Sequence, residues 1–130
     1  MRVAESLPPT VTIGDMGLQE RVKDGIALVD LTGEVSVEAR NVLPESIGAL
    51  LRQGVCRVVL NLANVTRLDA AGLGAILRVR KLTRAVGGDA KVVIRSAAMH
   101  QLLIRTNLWP LFEVFQSEAE AFASFENPAA

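Results

Sequence analysis

Tyrosine is absent from this chain, tryptophan occurs once and phenylalanine four times, so a core built here must be aliphatic, from Leu, Val, Ile and Ala. Cysteine occurs once, as Cys56, which excludes an internal disulfide. The opening residues MRVAESLPPT lack the charged and apolar segments of a secretory leader, and together these absences set the expectation of a reducing cytoplasm. No apolar run approaches the ~20 residues needed to cross a bilayer. Neither charge is in excess, with 14 basic and 14 acidic residues. A net charge of zero supplies no global field for a polyanion or an anionic lipid surface, so nucleic acid and direct membrane binding are not expected.

The chemistry of common enzymes is missing as well. Histidine occurs once, as His100, so no two-histidine metal pair, no Cys-containing zinc site and no triad of the usual composition can be assembled. There is no G-x-x-x-x-G-K-[ST] phosphate loop, and Gly72-Leu73-Gly74 lacks the third glycine of a dinucleotide fingerprint. A response-regulator receiver needs an acidic cluster at strand ends, and the strand Val58 to Leu62 carries Asn61 where the acceptor would sit. His100 reads as a solvated or partly packed imidazole and Cys56 as a small packed thiol. No catalytic residue, metal or cofactor is expected, which leaves binding as the function.

What is present is the patterning of one α/β domain. A chain of 130 residues buries roughly two-thirds of its unfolded surface around a single core. Residues 1–10, with two adjacent prolines, read as a flexible lead-in, 11–126 as the domain and 127–130 as a tail. Ile26 to Gly33 (IALVDLTG) reads as a strand, and Thr10 to Ile13 or Gln19 to Val22 could be its antiparallel neighbour, joined at Lys23-Asp24-Gly25. Ser36 is a plausible N-cap for a helix carrying Ala39, Val42, Leu43, Ile47, Leu50 and Leu51, with Pro44 expected to kink or restart it and Gly54 to end it. Arg57 to Leu62 (RVVLNL) is apolar enough to be a strand covered on both faces. A loop through Asn64 and Thr66 follows, and then Asp69 caps a helix to about Val86, with Gly87-Gly88 as the stop.

On a helical wheel Gly72, Ala75, Ile76, Val79, Leu82 and Val86 share the inner side of that helix. Arg78, Arg80, Lys81 and Arg84 share the outer side, with Leu73 and Leu77 beside them. Ala90 to Arg95 repeats the strand signature, Ala97 to Arg105 the helical one, Phe112 to Phe115 a short strand, and Glu118 to Phe125 a last helix. The alternation favours parallel pairing with right-handed crossovers. The expected fold is a mixed sheet with an antiparallel first hairpin, mostly parallel remaining strands and about four α-helices.

One stretch is more specific: RVVLNL, the loop ANVTRL, and Asp69-Ala70-Ala71-Gly72-Leu73-Gly74 opening the helix. It resembles the STAS family of bacterial anti-sigma factor antagonists, whose pattern there is an apolar strand, a short loop and Asp-Ser-Ser-Gly-Leu-Gly. Gly33-Glu34, the double glycine before AKVVIR and the ending NLWPLFEVFQSEAEAFASF extend the likeness from about Gln19 to Phe125. In that family the second Ser of the motif is phosphorylated by a partner that is both kinase and anti-sigma factor. A helix N-terminus suits a phosphate, and about two added negative charges can turn an interface off. Here the matching position is Ala71, which has no hydroxyl, and the preceding Ser is Ala70. Asn61 is a further departure, at a position where Asp is common. Thr66 and Ser96 are the fallback acceptors.

The resemblance implies a cytoplasmic, bacterial regulatory protein, a monomer or weak homodimer. It would sequester a kinase-type anti-sigma factor of the histidine-kinase-like ATPase kind without the usual Ser switch. The partner-binding residues it implies are Gly33, Glu34, Ser36, Asp69, Ala70, Ala71, Gly72, Leu73, Leu77, Arg80, Lys81 and Arg84. Asp69 has an alternative reading as a plain N-cap, the cationic stripe as a solvated face, and Gly72 and Gly74 as helix–sheet packing. The alternative function is a non-phosphorylated scaffold or an accessory subunit of a stress-signalling or lipid-transporter complex.

Overall fold

The computed structural model describes residues 10–126. The expected lead-in, apart from Thr10, and the expected tail lie outside the described residues. The chain runs β1 (Val11–Ile13), β2 (Met16–Lys23), β3 (Ile26–Val35), α1 (Ala39–Arg52), β4 (Arg57–Leu68), α2 (Ala70–Ala85), β5 (Asp89–Val93), α3 (Ala97–Arg105), β6 (Val114–Phe115) and α4 (Glu118–Glu126). The strands lie in sequence order in one sheet. β1, β2 and β3 pair antiparallel, and β3, β4, β5 and β6 pair parallel. Both segments offered as the neighbour of β3 are strands, and β2 is the one that pairs with it. The β2–β3 turn is the two-residue Asp24-Gly25, both at positive φ, which suits the right-handed twist of a hairpin.

The pleat of β3 sorts its side chains into two cores. Ala27, Val29 and Leu31 face a large aliphatic cluster with Leu43 and Ile47 of α1 and Ala75, Ile76 and Val79 of α2. Ile26 and Leu28 face the other way, with Val59 and Val93, beneath Ala121 and Phe125 of α4. Val58, Val59 and Leu60 are therefore all buried, as a strand covered on both faces requires.

Four local expectations change. Ser36 does not cap α1: the helix begins after a turn in which the Ser36 and Val37 carbonyls accept from Ala39 and Arg40 N–H. Its N-cap is Glu38, without a side-chain capping bond. Pro44 neither breaks nor restarts α1, which runs through it. The carbonyl that loses its N–H partner belongs to exposed Arg40, where solvent can satisfy it. Residues 63–68 are not a loop but the second half of β4, pairing with β3 as far as Val35↔Leu68 across two register shifts. Those shifts break the period-2 pattern that would have marked a strand. β3 likewise runs past Gly33, whose φ of +74° and close approach to the Asp15 carbonyl, 2.1 Å from where a Cβ would stand, leave room only for glycine.

Inside α2, Thr83 is fully buried. Its hydroxyl donates back to the Val79 and Arg80 carbonyls at 3.1 and 3.0 Å, so it needs no partner elsewhere. Its acceptors already belong to the helix ladder. Thr83→Val should accordingly stay within about 1 kcal/mol of the parent in urea unfolding. Leu43→Ala, which empties a fully buried site, should cost about 2–5 kcal/mol.

Candidate functional site

Parallel pairing of Glu34 with Arg67 and Val35 with Leu68 ends β3 and β4 side by side, so the segments leading into α1 and α2 emerge together. Ser36 Oγ donates to Asp69 Oδ2 across that gap. Asp69 Oδ1 accepts the Gly72 N–H at 3.0 Å, and the Asp69 carbonyl accepts the Leu73 N–H at 2.9 Å. The carboxylate thus caps α2 with one oxygen and ties down the β3–α1 segment with the other. Glu34, Val35, Ser36, Arg67 and Asp69 line a cleft of about 160 Å³.

The Ser36 hydroxyl, then the Gly72 N–H, hold the Asp69 carboxyl below its ordinary value. Because the folded pKa is the lower one, this contribution is present above the unfolded value and is lost as pH falls through the folded one.

Gly72 makes the arrangement possible. A Cβ there would lie 2.2 Å from the Val35 carbonyl oxygen, so the first turn of α2 rests directly on the end of β3. Ala70 is exposed and Ala71 half-buried at the first two helical positions. Gly33 is half-buried behind the cleft and Glu34 is exposed at its rim.

The outer face of α2 differs from the wheel. Leu73, placed there with the cations, is buried in the main core at 7% exposure. Leu77 is half-buried and packs partly on the core. With Gly74, Arg78, Lys81 and Leu82 it lines a groove of about 470 Å³. Arg80 is half-buried, its Nε enclosed without an acceptor among the described residues. Arg84 pairs with Asp89 at 3.4 Å and lies on the order of 20 Å along the helix from Ala71, so the fold does not bring it to the cleft. Val86, read as part of the inner side, is exposed.

Of the two fallback hydroxyls, Thr66 is exposed on β4, and Ser96 Oγ caps α3 by accepting the Met99 N–H at 3.0 Å. His100 is half-buried against Trp109, ring centroids 5.1 Å apart, and Cys56 is half-buried. Among the described residues no three His, Cys, Asp or Glu side chains converge to hold a metal, and no helix is long and apolar enough to cross a membrane.

The model of the STAS domain matches residues 18–121. The chain belongs to the STAS domain family. Within that family it is similar to an anti-sigma F factor antagonist of Paenibacillus polymyxa, 27% identical over 103 residues that cover 78% of this chain and 88% of that one. Two solved structures share the STAS fold. An anti-sigma factor antagonist from Mycobacterium paratuberculosis superposes with a TM-score of 0.74 at 22% identity, covering 88% of this chain and 97% of the other. The Bacillus anti-sigma factor antagonist SpoIIAA in its unphosphorylated form gives 0.73 at 20% identity, covering 85% and 96%.

Arg67 and Leu82 belong to the cleft and groove of this STAS domain without a functional signal in the sequence, and Gly74, offered for helix–sheet packing, is exposed with nothing within 4 Å of a Cβ. The sequence places Arg67 in a loop, because its pairing with Glu34 depends on a register that the two shifts conceal. Leu82, assigned to the inner side, lies at the margin between faces, where a wheel does not discriminate. Asn61 has a role that its sequence position did not reveal: its amide donates to Glu118 Oε2 at 2.9 Å and its Oδ1 accepts the Ala63 N–H at 2.9 Å.

The two helix glycines should respond oppositely to the same change. Gly72→Ala must push Val35 away and is expected to cost roughly 1–3 kcal/mol. Gly74→Ala meets nothing within 4 Å and should gain about 0.5–1 kcal/mol from helix propensity. Paired urea titrations measure both.

Proposed function

We propose that this STAS domain is a regulatory binding protein of the anti-sigma factor antagonist type, which sequesters a kinase-type anti-sigma factor through the cleft at Ser36 and Asp69 and the adjoining face of α2. The observation that carries this reading is the bond from Ser36 to the Asp69 cap. It rigidifies two chain segments into one surface at a helix N-terminus while leaving the residues on that turn, Ala70 and Ala71, without a hydroxyl. Glu34, Arg67 and Asp69 supply a polar rim. Gly74, Leu77 and Leu82 supply a partly apolar floor beside Arg78 and Lys81, a combination suited to an acidic partner surface.

The Asp69 carboxylate is already committed to the Gly72 N–H and the Ser36 hydroxyl, and neither a lysine nor a histidine lines the cleft among the described residues, which supports binding over catalysis. Where the family pattern has a phosphorylated Ser, Ala71 removes the acceptor, so the surface stays in its binding-competent state. Sequestration then competes with the sigma factor for the anti-sigma factor, in the cytoplasm, with this chain acting as a monomer or weak homodimer. The missing hydroxyl also favours a second reading, a constitutive scaffold or accessory subunit of a stress-signalling or lipid-transporter assembly.

Native mass spectrometry with histidine-kinase-like anti-sigma proteins and ADP or ATP separates the readings. Capture should persist after incubation with ATP in the parent protein. In Ala71→Ser the restored hydroxyl should be phosphorylated and capture lost. A bound kinase that leaves that hydroxyl unmodified shows that the surfaces are misassigned, and no capture by any such protein leaves the scaffold reading. Lys81→Glu is expected to weaken capture about tenfold, with the larger effect at low salt.

A further inference from the structure

α4 is fastened to the sheet by a polar cluster that the proposed binding surface does not use. Arg21 of β2 places one nitrogen, Nη2, 3.4 Å from Asp30 Oδ2 of β3 and 3.1 and 3.3 Å from the two carboxylate oxygens of Glu118 in the first turn of α4. Asn61 of β4 holds Glu118 from the other side. Two carboxyl groups therefore share a single guanidinium nitrogen, all partly buried, with Arg21 exposed by 32%, Asp30 by 24% and Glu118 by 28%. Two carboxylates and one cation at such a site leave one negative charge in excess, and a proton is the simplest way to remove it.

The surrounding elements contribute little further compensation. Gln19 of β2 is the register partner of Asp30 and is uncharged. Arg95, a second cation, lines with Asn61 and Glu118 a cavity of about 210 Å³ but forms no salt bridge with either carboxylate, whose guanidinium partner is Arg21. Of the other cations on this face, Lys23 lies over the Phe122 ring and Lys91 is held by Glu113 and Ser124. Arg57 lies at the far end, with Lys91, around a separate cavity. Glu120, in the same turn of α4, accepts the Gln116 N–H.

We propose that α4 is a proton-operated latch. With one proton on the Asp30–Glu118 pair its first turn is held on the sheet; with both groups ionised it loosens, uncovering the apolar strip of Ile26, Leu28, Val59 and Val93. Asn61 is part of the device, because an Asp in its place would set a third carboxylate against Glu118 and remove the donor that holds it.

Burial first, and then Glu118, push Asp30 from 3.8 up to about 6, against the pull of Arg21. Glu118 moves the other way: burial works against its ionisation, but hydrogen bonds from Asp30, Asn61 and Arg21 together outweigh that and hold it below its ordinary value. Since the folded protein keeps the Asp30 proton to a higher pH than the unfolded chain, the stabilisation is complete below 3.8 and is lost as pH rises through about 6.

The latch makes the amide exchange of α4 depend on pH beyond the intrinsic chemistry. In the full chain, exchange corrected for intrinsic rates should rise about tenfold in α4 between about pH 5 and pH 7.5, a value reduced for solvent screening, while α2 stays constant. Asp30→Asn, which mimics the protonated acid, should keep α4 protected at both values. Glu118→Gln should make the rise smaller, because it removes the neighbouring carboxylate while burial still raises Asp30. A flat profile in the parent overturns the proposal, as does a rise that survives Asp30→Asn. If Asp30→Asn does not fold, a rise undiminished in Glu118→Gln overturns it equally.

Discussion

The contact on which the site depends is the seating of the first turn of α2 against the Val35 carbonyl. It requires a side chain no larger than hydrogen at residue 72, because any Cβ would stand well inside van der Waals distance of that oxygen. Once the turn is seated, Asp69 falls between the Gly72 N–H and the Ser36 hydroxyl, and the ends of two parallel strands become one surface. A helix start that stood further off would leave the two segments as independent loops.

The same seating explains the division of labour on α2. The helix presents Leu73, Ala75, Ile76 and Val79 to the main core and turns Arg78, Lys81 and Arg84 to solvent. At its far end Arg84 is engaged with Asp89, which leaves Arg78 and Lys81 as the cations nearest the exposed notch at Gly74. α1 needs no comparable device at its start, since Ser36 serves the neighbouring helix instead of its own.

The two faces of the sheet are built on different principles. Over the main core, aliphatic burial by α1 and α2 is the principal force holding the layers together, with charged groups only at its margins, where Arg84 meets Asp89 and Ser46 meets Glu20. On the other face α4 is short, and it rests on Phe125 and Ala121 at one end and on charged groups around Arg21 at the other. Hydrophobic burial is insensitive to pH, whereas a carboxyl pair sharing one guanidinium is not, so the two layers answer differently to the same change in conditions.

Much of this was legible beforehand. Apolar runs and turn residues placed β3, the first half of β4, β5 and all four helices, since hydrophobic period and chain-stopping glycines are local properties. The Asp69 cap was equally readable, because a cap is a property of a single position. The partner of Ser36, the burial of Leu73, the second half of β4 and the Arg21–Asp30–Asn61–Glu118 cluster were not. Each joins residues far apart in the chain through a register, a bulge or a helix rotation that no local pattern encodes, so the tertiary structure alone decided them.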